Sequence, residues 1–354
     1  MFTRRMLPVS IILTLVLTLL VTASVSAQEA DDIDGEAVFR DAAAASDSLV
    51  IDFEGVPSLP AGSAYEGWLI DSAGGKISVG ILLRTGTADI EQTYVSPSGE
   101  NLAASYNRFA ISVEPVPDPD PDTPGPIAYS DVIPLPAFVH IGHLLVSFGP
   151  NPDGKGIAVG LVEQMAVAAA HADLAKRSSS LAGKQTHSQH VINIIEGSGG
   201  TNYDASVGNP GDGKGVLNYA ADLIAHAGFA KSAASDDDSV GDGADDAIAA
   251  AEAAAAGAVR ARDEALLVVA SGTSEFRVGI ALSNQVSLTD SGMDDAGDAY
   301  TASQDMALFE GLAGQAPPSV GDPLVLSVAM AALFAGLLLT GAGGLLVFRR
   351  RQTA

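Results

Sequence analysis

The sequence predicts an α+β, multidomain chain: an N-terminal antiparallel β-sandwich, then an α-helical bundle, then one C-terminal transmembrane helix. Three observations predict this. Between Ser48 and Ile133, short runs rich in branched and aromatic residues alternate with turn residues. From Ala137 to about Ala313, apolar residues recur at spacings of three and four. From Pro323 to Phe348 the chain carries no charge at all.

The first element is "MFTRRMLPVSIILTLVLTLLVTASVSA", residues 1–27. Arg4 and Arg5 precede an apolar stretch that ends in small residues, with Val25 and Ala27 placed as at a secretory cleavage site. It reads as a signal peptide. Residues 28–47 form an N-terminal segment to which the pattern assigns no strand or helix. Then come "LVIDFEGV", "AYEGWLID", "KISVGILL", "DIEQTYV" and "RFAISVEP", separated by turn signals such as "SAGG" and "SPSGE". Several short strands at this spacing imply a small sandwich over residues 48–133. Trp68, the only tryptophan, lies inside a strand and reads as core.

"LPAGSAYEGWLID", "GGKISVGIL" and "FAISVEP" together carry a Y-x-x-W-L-I-D core, an S-x-G step and an A-x-S-x-E-P ending. In these motifs the region over residues 48–133 resembles the extracytoplasmic C-terminal domain of anti-sigma-K factors of the RskA type. The resemblance implies a sensory or protein-contacting β-domain with no catalytic residues. Family members place a sigma-binding helical domain in the cytoplasm, ahead of their membrane span. A signal peptide stands at that end here, so direct sigma-factor binding is not expected.

"EPVPDPDPDTPGP", residues 114–126, alternates proline with aspartate and suits an extended, self-repelling spacer or a stiff loop. Residues 134–315 read as an Ala-rich helical bundle with short loops. "SDDDSVGDGADD" is a charged connection whose last acids suit a helix N-terminus. Residues 316–322 form a linker. Residues 323–348, roughly 37 Å long as a helix, span a bilayer. The tail 349–354 begins with three arginines, which keep it cytoplasmic by the positive-inside rule. "PPSVG" departs from a sortase signal at Pro317 and Val320, so the tail reads as an ordinary anchor.

The formal charge is −25, and leaving out the five arginines of the two terminal segments lowers it to −30. Such a surface repels nucleic acid, which is excluded as a partner. The chain has no cysteine, so disulfides, thiolate metal sites and c-type haem attachment are excluded too.

The six histidines, His140, His143, His171, His187, His190 and His226, all lie in the first part of the helical region. Each shares a helical stripe with apolar neighbours: His187 and His190 with Val191 and Ile194, His140 with Leu144, His226 with Leu223. In a bundle they are placed to converge on one interior site, and two pairs plus two singles suit one or two ions, or the two axial positions of a haem. There is also an internal echo. "GPNPDGKG" follows the first H-x-x-H and "GNPGDGKG" the second, and each loop leads into a helix with one more histidine. The pattern suggests a two-fold repeat of H-x-x-H, glycine loop, then histidine.

Three uses of these rings stand open: metal or cofactor binding, proton sensing, and plain hydrogen-bonded packing. As ligands they suit a transition metal (zinc, copper or iron) or haem, with no cofactor certain. The loops match the start of a phosphate-binding P-loop, but Gly156 and Gly215 stand where a Ser or Thr must hold magnesium. An EF-hand fails for want of its closing glutamate, and the oxygen-rich loop with Asn202, Asp204, Asn209 and Asp212 reads as turn chemistry. No catalytic constellation emerges, and an enzyme is not expected.

The function expected is that of a single-span protein of the plasma membrane, its ectodomain outside, acting in sensing, recognition or envelope structure, with an envelope protein as partner. The alternative is an extracytoplasmic metal- or haem-binding protein that uses the histidines.

Overall fold

The structure is a computed structural model, and it describes residues 32–272 and 276–314. The signal peptide and the transmembrane helix expected at 323–348 lie outside the described residues.

The first strand, β1 (Ile33–Arg40), falls in the segment to which the sequence pattern assigns nothing. It pairs antiparallel with β2 (Ser48–Glu54), which pairs in turn with β5 (Ile90–Val95). Gly35 sits at φ +124°, and a Cβ there would stand 2.1 Å from the Asp52 carbonyl oxygen. Only glycine permits the bulge that β1 makes between Ile33 and Glu36. The strands that carry the anti-sigma-K-like motifs, β3 (Ser63–Asp71), β4 (Lys76–Leu82) and β6 (Tyr106–Pro115), lie side by side in the order β4-β3-β6. β7 (Ile127–Val132) follows β6 and pairs with it. The Pro/Asp segment is therefore the loop of a hairpin, closed by the Val113 amide donating to Pro126 O. It is the loop of the two alternatives, not a spacer between units.

After β7 the chain leaves the sheet for six helices and then comes back. The returning strand, β8 (Leu308–Gly314), lies between β7 and β1, inside the range that reads as helical in the sequence. It joins what the sequence suggests are two packed sheets into one eight-stranded sheet, β4-β3-β6-β7-β8-β1-β2-β5. The expected sandwich is thus a single curled sheet, whose edge strands approach through an Arg84–Ile90 bridge. Phe309 of β8 explains the return. It packs edge-on against Phe39 of β1 (5.7 Å between centroids) and tilted against Phe109 of β6 (6.1 Å). Without β8 the barrel-like core has a gap where its central aromatic belongs. Trp68 is buried as expected, its indole N–H donating to Ser112 Oγ at 2.9 Å.

The helices are α1 (Leu135–Leu145), α2 (Ile157–Arg177), α3 (Leu181–Glu196), α4 (Val216–Ala233), α5 (Asp238–Val269) and α6 (Phe276–Asp305). α5 starts earlier in the acidic connection than a plain loop allows: Asp237 caps it by accepting from the Val240 amide at 3.1 Å. Its buried face repeats Ala244, Ala247, Ala251, Ala254, Ala258, Ala261 and Ala265. Alternating steps of three and four make this a seam, and alanine lets α6 approach closely along it. α2 is long and apolar enough to cross a membrane, but half of its apolar window is buried within the bundle. Packing against α3, α4 and α6 accounts for its apolarity. One continuous core runs from the sheet through Ile133, Ala137 and Ile141 into the helices.

Candidate metal centres

The six histidines gather into two groups of three, not one interior site. His140 and His143, three residues apart on α1, meet His226 of α4. His187 and His190, three apart on α3, meet His171 of α2. Each H-x-x-H pair aims both rings to one side of its helix, because residues three apart are surface neighbours. All six rings are half-buried, on the flank of the apolar stripe. The core positions beside them go to Ile141, Leu144, Val191, Ile194 and Leu223.

The Nδ1 atoms converge. In the first group His226 Nδ1 stands 3.1 Å from His140 Nδ1 and 3.2 Å from His143 Nδ1. In the second, His171 Nδ1 stands 3.2 Å from both His187 Nδ1 and His190 Nδ1. Hydrogen bonding does not explain such a centre. A neutral imidazole nitrogen holds either one proton or one lone pair, so the central ring offers two ring nitrogens at most one shared, weaker bond. A cation between three lone pairs satisfies all of them. Three nitrogens about 2.0–2.1 Å from a tetrahedral ion stand about 3.3–3.4 Å apart, close to the spacing here.

The electrostatics suit ligation. Burial, and then the charges of His190 and His187, push His171 down to about 4. Burial and neighbouring imidazoles also lower His140, His187 and His226 below the ordinary histidine range. Neutral rings at pH 7 offer lone pairs without proton competition. In the second group His190 Nε2 lies 3.1 Å from the Val207 carbonyl oxygen. Donation to that carbonyl puts the proton on Nε2 and leaves Nδ1 free to face the centre.

The internal repeat takes a form that the sequence order hides. Each H-x-x-H pair is completed by the single histidine of the other half, so α1 meets α4 while α3 meets α2. Reciprocal exchange of this kind is what a two-fold axis produces. Other equivalent positions agree. Lys155 pairs with Glu163 eight residues on, at 2.5 Å, and Lys214 pairs with Asp222 eight residues on. Gly160, five residues after Lys155, faces Tyr219, five after Lys214; a Cβ at Gly160 would stand 2.1 Å from the Tyr219 ring. Equivalent residues that touch each other mark the axis. Both loop lysines are tied up in these ion pairs, in keeping with the rejection of a P-loop.

The oxygen-rich loop makes the turn bonds that its residue types favour. Asp204, Asn209 and Asp212 each accept from a backbone amide two residues on. The α3 side chains Gln189 and Asn193 hold this loop by donating to Asn202 O, Asp204 O and Gly208 O.

Several neighbours escape a reading of the sequence. Val207 acts through its backbone, which leaves no sequence signal. Phe148 packs 4.7 Å from the His226 ring, and Phe229 packs 5.3 Å from that of His140. Phe229 lies three residues after His226, a helical spacing that could have been noticed. In the β unit, Glu66 and Glu114 of the sheet and Asp118 of the loop after β6 bring carboxylate oxygens together around the Trp68–Ser112 pair. The serines Ser78 and Ser112 donate to the two glutamates.

Residues 16–127 match the profile of the family described as anti-sigma-K factor rskA, C-terminal. The resemblance read from β3, β4 and β6 is borne out, and the match reaches upstream beyond β1 and stops at the start of β7. It covers about a third of the chain and includes neither the helices nor β8. No match was found among curated proteins, and none among solved structures.

Proposed function

We propose that the protein is a transition-metal-binding protein of the cell envelope, with two three-histidine sites on a helical insert carried by an anti-sigma-K-like β unit. The convergence of three Nδ1 atoms in each group carries this reading. Three protein nitrogens leave a fourth position open, as in zinc sites that exchange a ligand. All-imidazole donors suit zinc, copper, nickel or iron. Nitrogens that converge on one point suit an ion, whereas a haem needs axial ligands on opposite faces. The family match favours a second, compatible reading: a membrane-associated regulatory role in which the β unit passes on the state of the metal sites. In this reading the two apolar stretches outside the described residues are a signal peptide and a membrane anchor, and the described residues face outward.

The test is metal analysis of the full chain, purified in detergent at neutral pH, stripped with chelator and re-equilibrated with zinc or copper. Two equivalents per chain, with X-ray absorption showing imidazole scattering, are expected. Less than about a tenth of an equivalent, where ordinary structural zinc binds by about 10–16 kcal/mol, overturns the reading.

A further inference from the structure

We infer that the site of His140, His143 and His226 accepts, at its open position, an organic donor ligand with an aromatic body, and that the other site does not favour one. The inference rests on the metal reading above and assigns a ligand class to one of its two sites.

The two sites differ in what surrounds them. At the first, Phe148 lies 4.7 Å from the His226 ring and 5.3 Å from His143. Phe229 lies 5.3 Å from His140 and 5.7 Å from His226. Phe229 is 52% exposed. A ring that touches two ligating imidazoles and also meets solvent stands at the rim of the site, not behind it. Val139, four residues before His143 on α1 and so a surface neighbour of that position, is 49% exposed and extends the apolar rim. At the second site, the ring contacts among the described residues are those of its own three histidines.

A metal held by three protein nitrogens carries water at its fourth position. An incoming donor places its lone pair there and the water leaves; no electrons change hands. If the donor has an aromatic body, that body covers Phe229 and the rim, taking apolar surface out of water and meeting a ring at favourable geometry. The second site offers the same metal bond and none of this cover.

Cobalt(II) and a pair of probes test this. Imidazole and 4-phenylimidazole supply the same donor nitrogen and differ by one phenyl ring. The full chain is used with one site removed at a time: His171→Ala with His187→Ala leaves the first site, and His140→Ala with His226→Ala leaves the second. Each variant is loaded with cobalt, and the probes are titrated against the visible ligand-field bands. The first site is expected to prefer 4-phenylimidazole by about tenfold, the scale of one well-buried small apolar group. The second is expected to bind both probes alike. Phe229→Ala is expected to abolish the preference, read as the ratio of the two probe affinities within that one variant. Equal preference at the two sites, or a preference that survives Phe229→Ala, overturns the inference and leaves the metal reading intact. Failure of cobalt to give ligand-field bands in either variant overturns the metal reading, and the inference with it.

Discussion

The two histidine sites use the same donors and reach them by different routes. The first ties α1 to α4 across 83 to 86 residues of chain, with phenylalanines at its rim. The second ties α2 to α3 across 16 to 19 residues, with a backbone carbonyl fixing one of its rings. A short connection brings ligands together at little entropic cost, so the second site can be built locally. The first depends on the whole bundle being assembled. The donor set alone therefore does not define a site; how the chain delivers the donors decides what surrounds each site.

The largest expected effect lies at the single histidine that completes each pair. His226→Ala should abolish metal binding by His140 and His143 and spare the α3 site; His171→Ala should do the reverse. Loss of a direct ligand should cost more than the 10–100-fold typical of an outer-shell partner. Zinc titration of each variant, combined with alanine at one H-x-x-H pair, reads the pairing directly. If His226→Ala instead disables the α3 pair, the halves are not exchanged and the two-fold relation fails.

A smaller effect is expected at the axis itself. Gly160→Ala puts a methyl group 2.1 Å from the Tyr219 ring, so α2 and α4 must shift apart. Overpacking of this kind costs about 1–3 kcal/mol. Because the contact lies between the equivalent halves, both sites should weaken together, and thermal unfolding with metal titration would show it. A variant with unchanged stability, or one that weakens a single site, shows that the axis does not hold the two sites in register.

Much of the fold is legible in the sequence because period alone carries it. The strands from Ser48 onward and the helices from α1 to α6 follow their two- and three-to-four-residue patterns. β8 is not legible in that way. "LFEGLAG" is short, has no β-branched residue and follows a 30-residue helix, so only its partners β7 and β1 reveal it as a strand. β1 is masked similarly by its bulge at Gly35. The histidines are visible as ligand candidates, and even their repeat is visible. Their partition is not, because a sequence lists the halves one after the other, whereas a two-fold axis pairs each with its opposite. The half-buried placement also differs from the expected interior one: imidazoles take the flank while isoleucine, leucine and valine take the core.

The smallest predicted effect concerns protons, and it is read without metal. His171 has an ordinary value of 6.5 and is held at about 4 in the folded chain. Between those values the unfolded chain binds a proton at this residue and the folded chain does not. Stability therefore rises with pH across that window and is lost as pH falls through it; above 6.5 this contribution is fully present and flat. Carboxylates titrate in the lower part of the same range, so the readout is the difference between the metal-free parent and His171→Asn. That difference in melting temperature should be constant above pH 7 and should shift in favour of the variant as pH falls from 6.5 towards 4. Burial also lowers His226, with His143 and His140 adding to it, while Asp222 and Lys214 act in opposite senses on it. His226→Asn should therefore show the same sign. Equal slopes would show that the two sites are desolvated alike, whatever separates their rims.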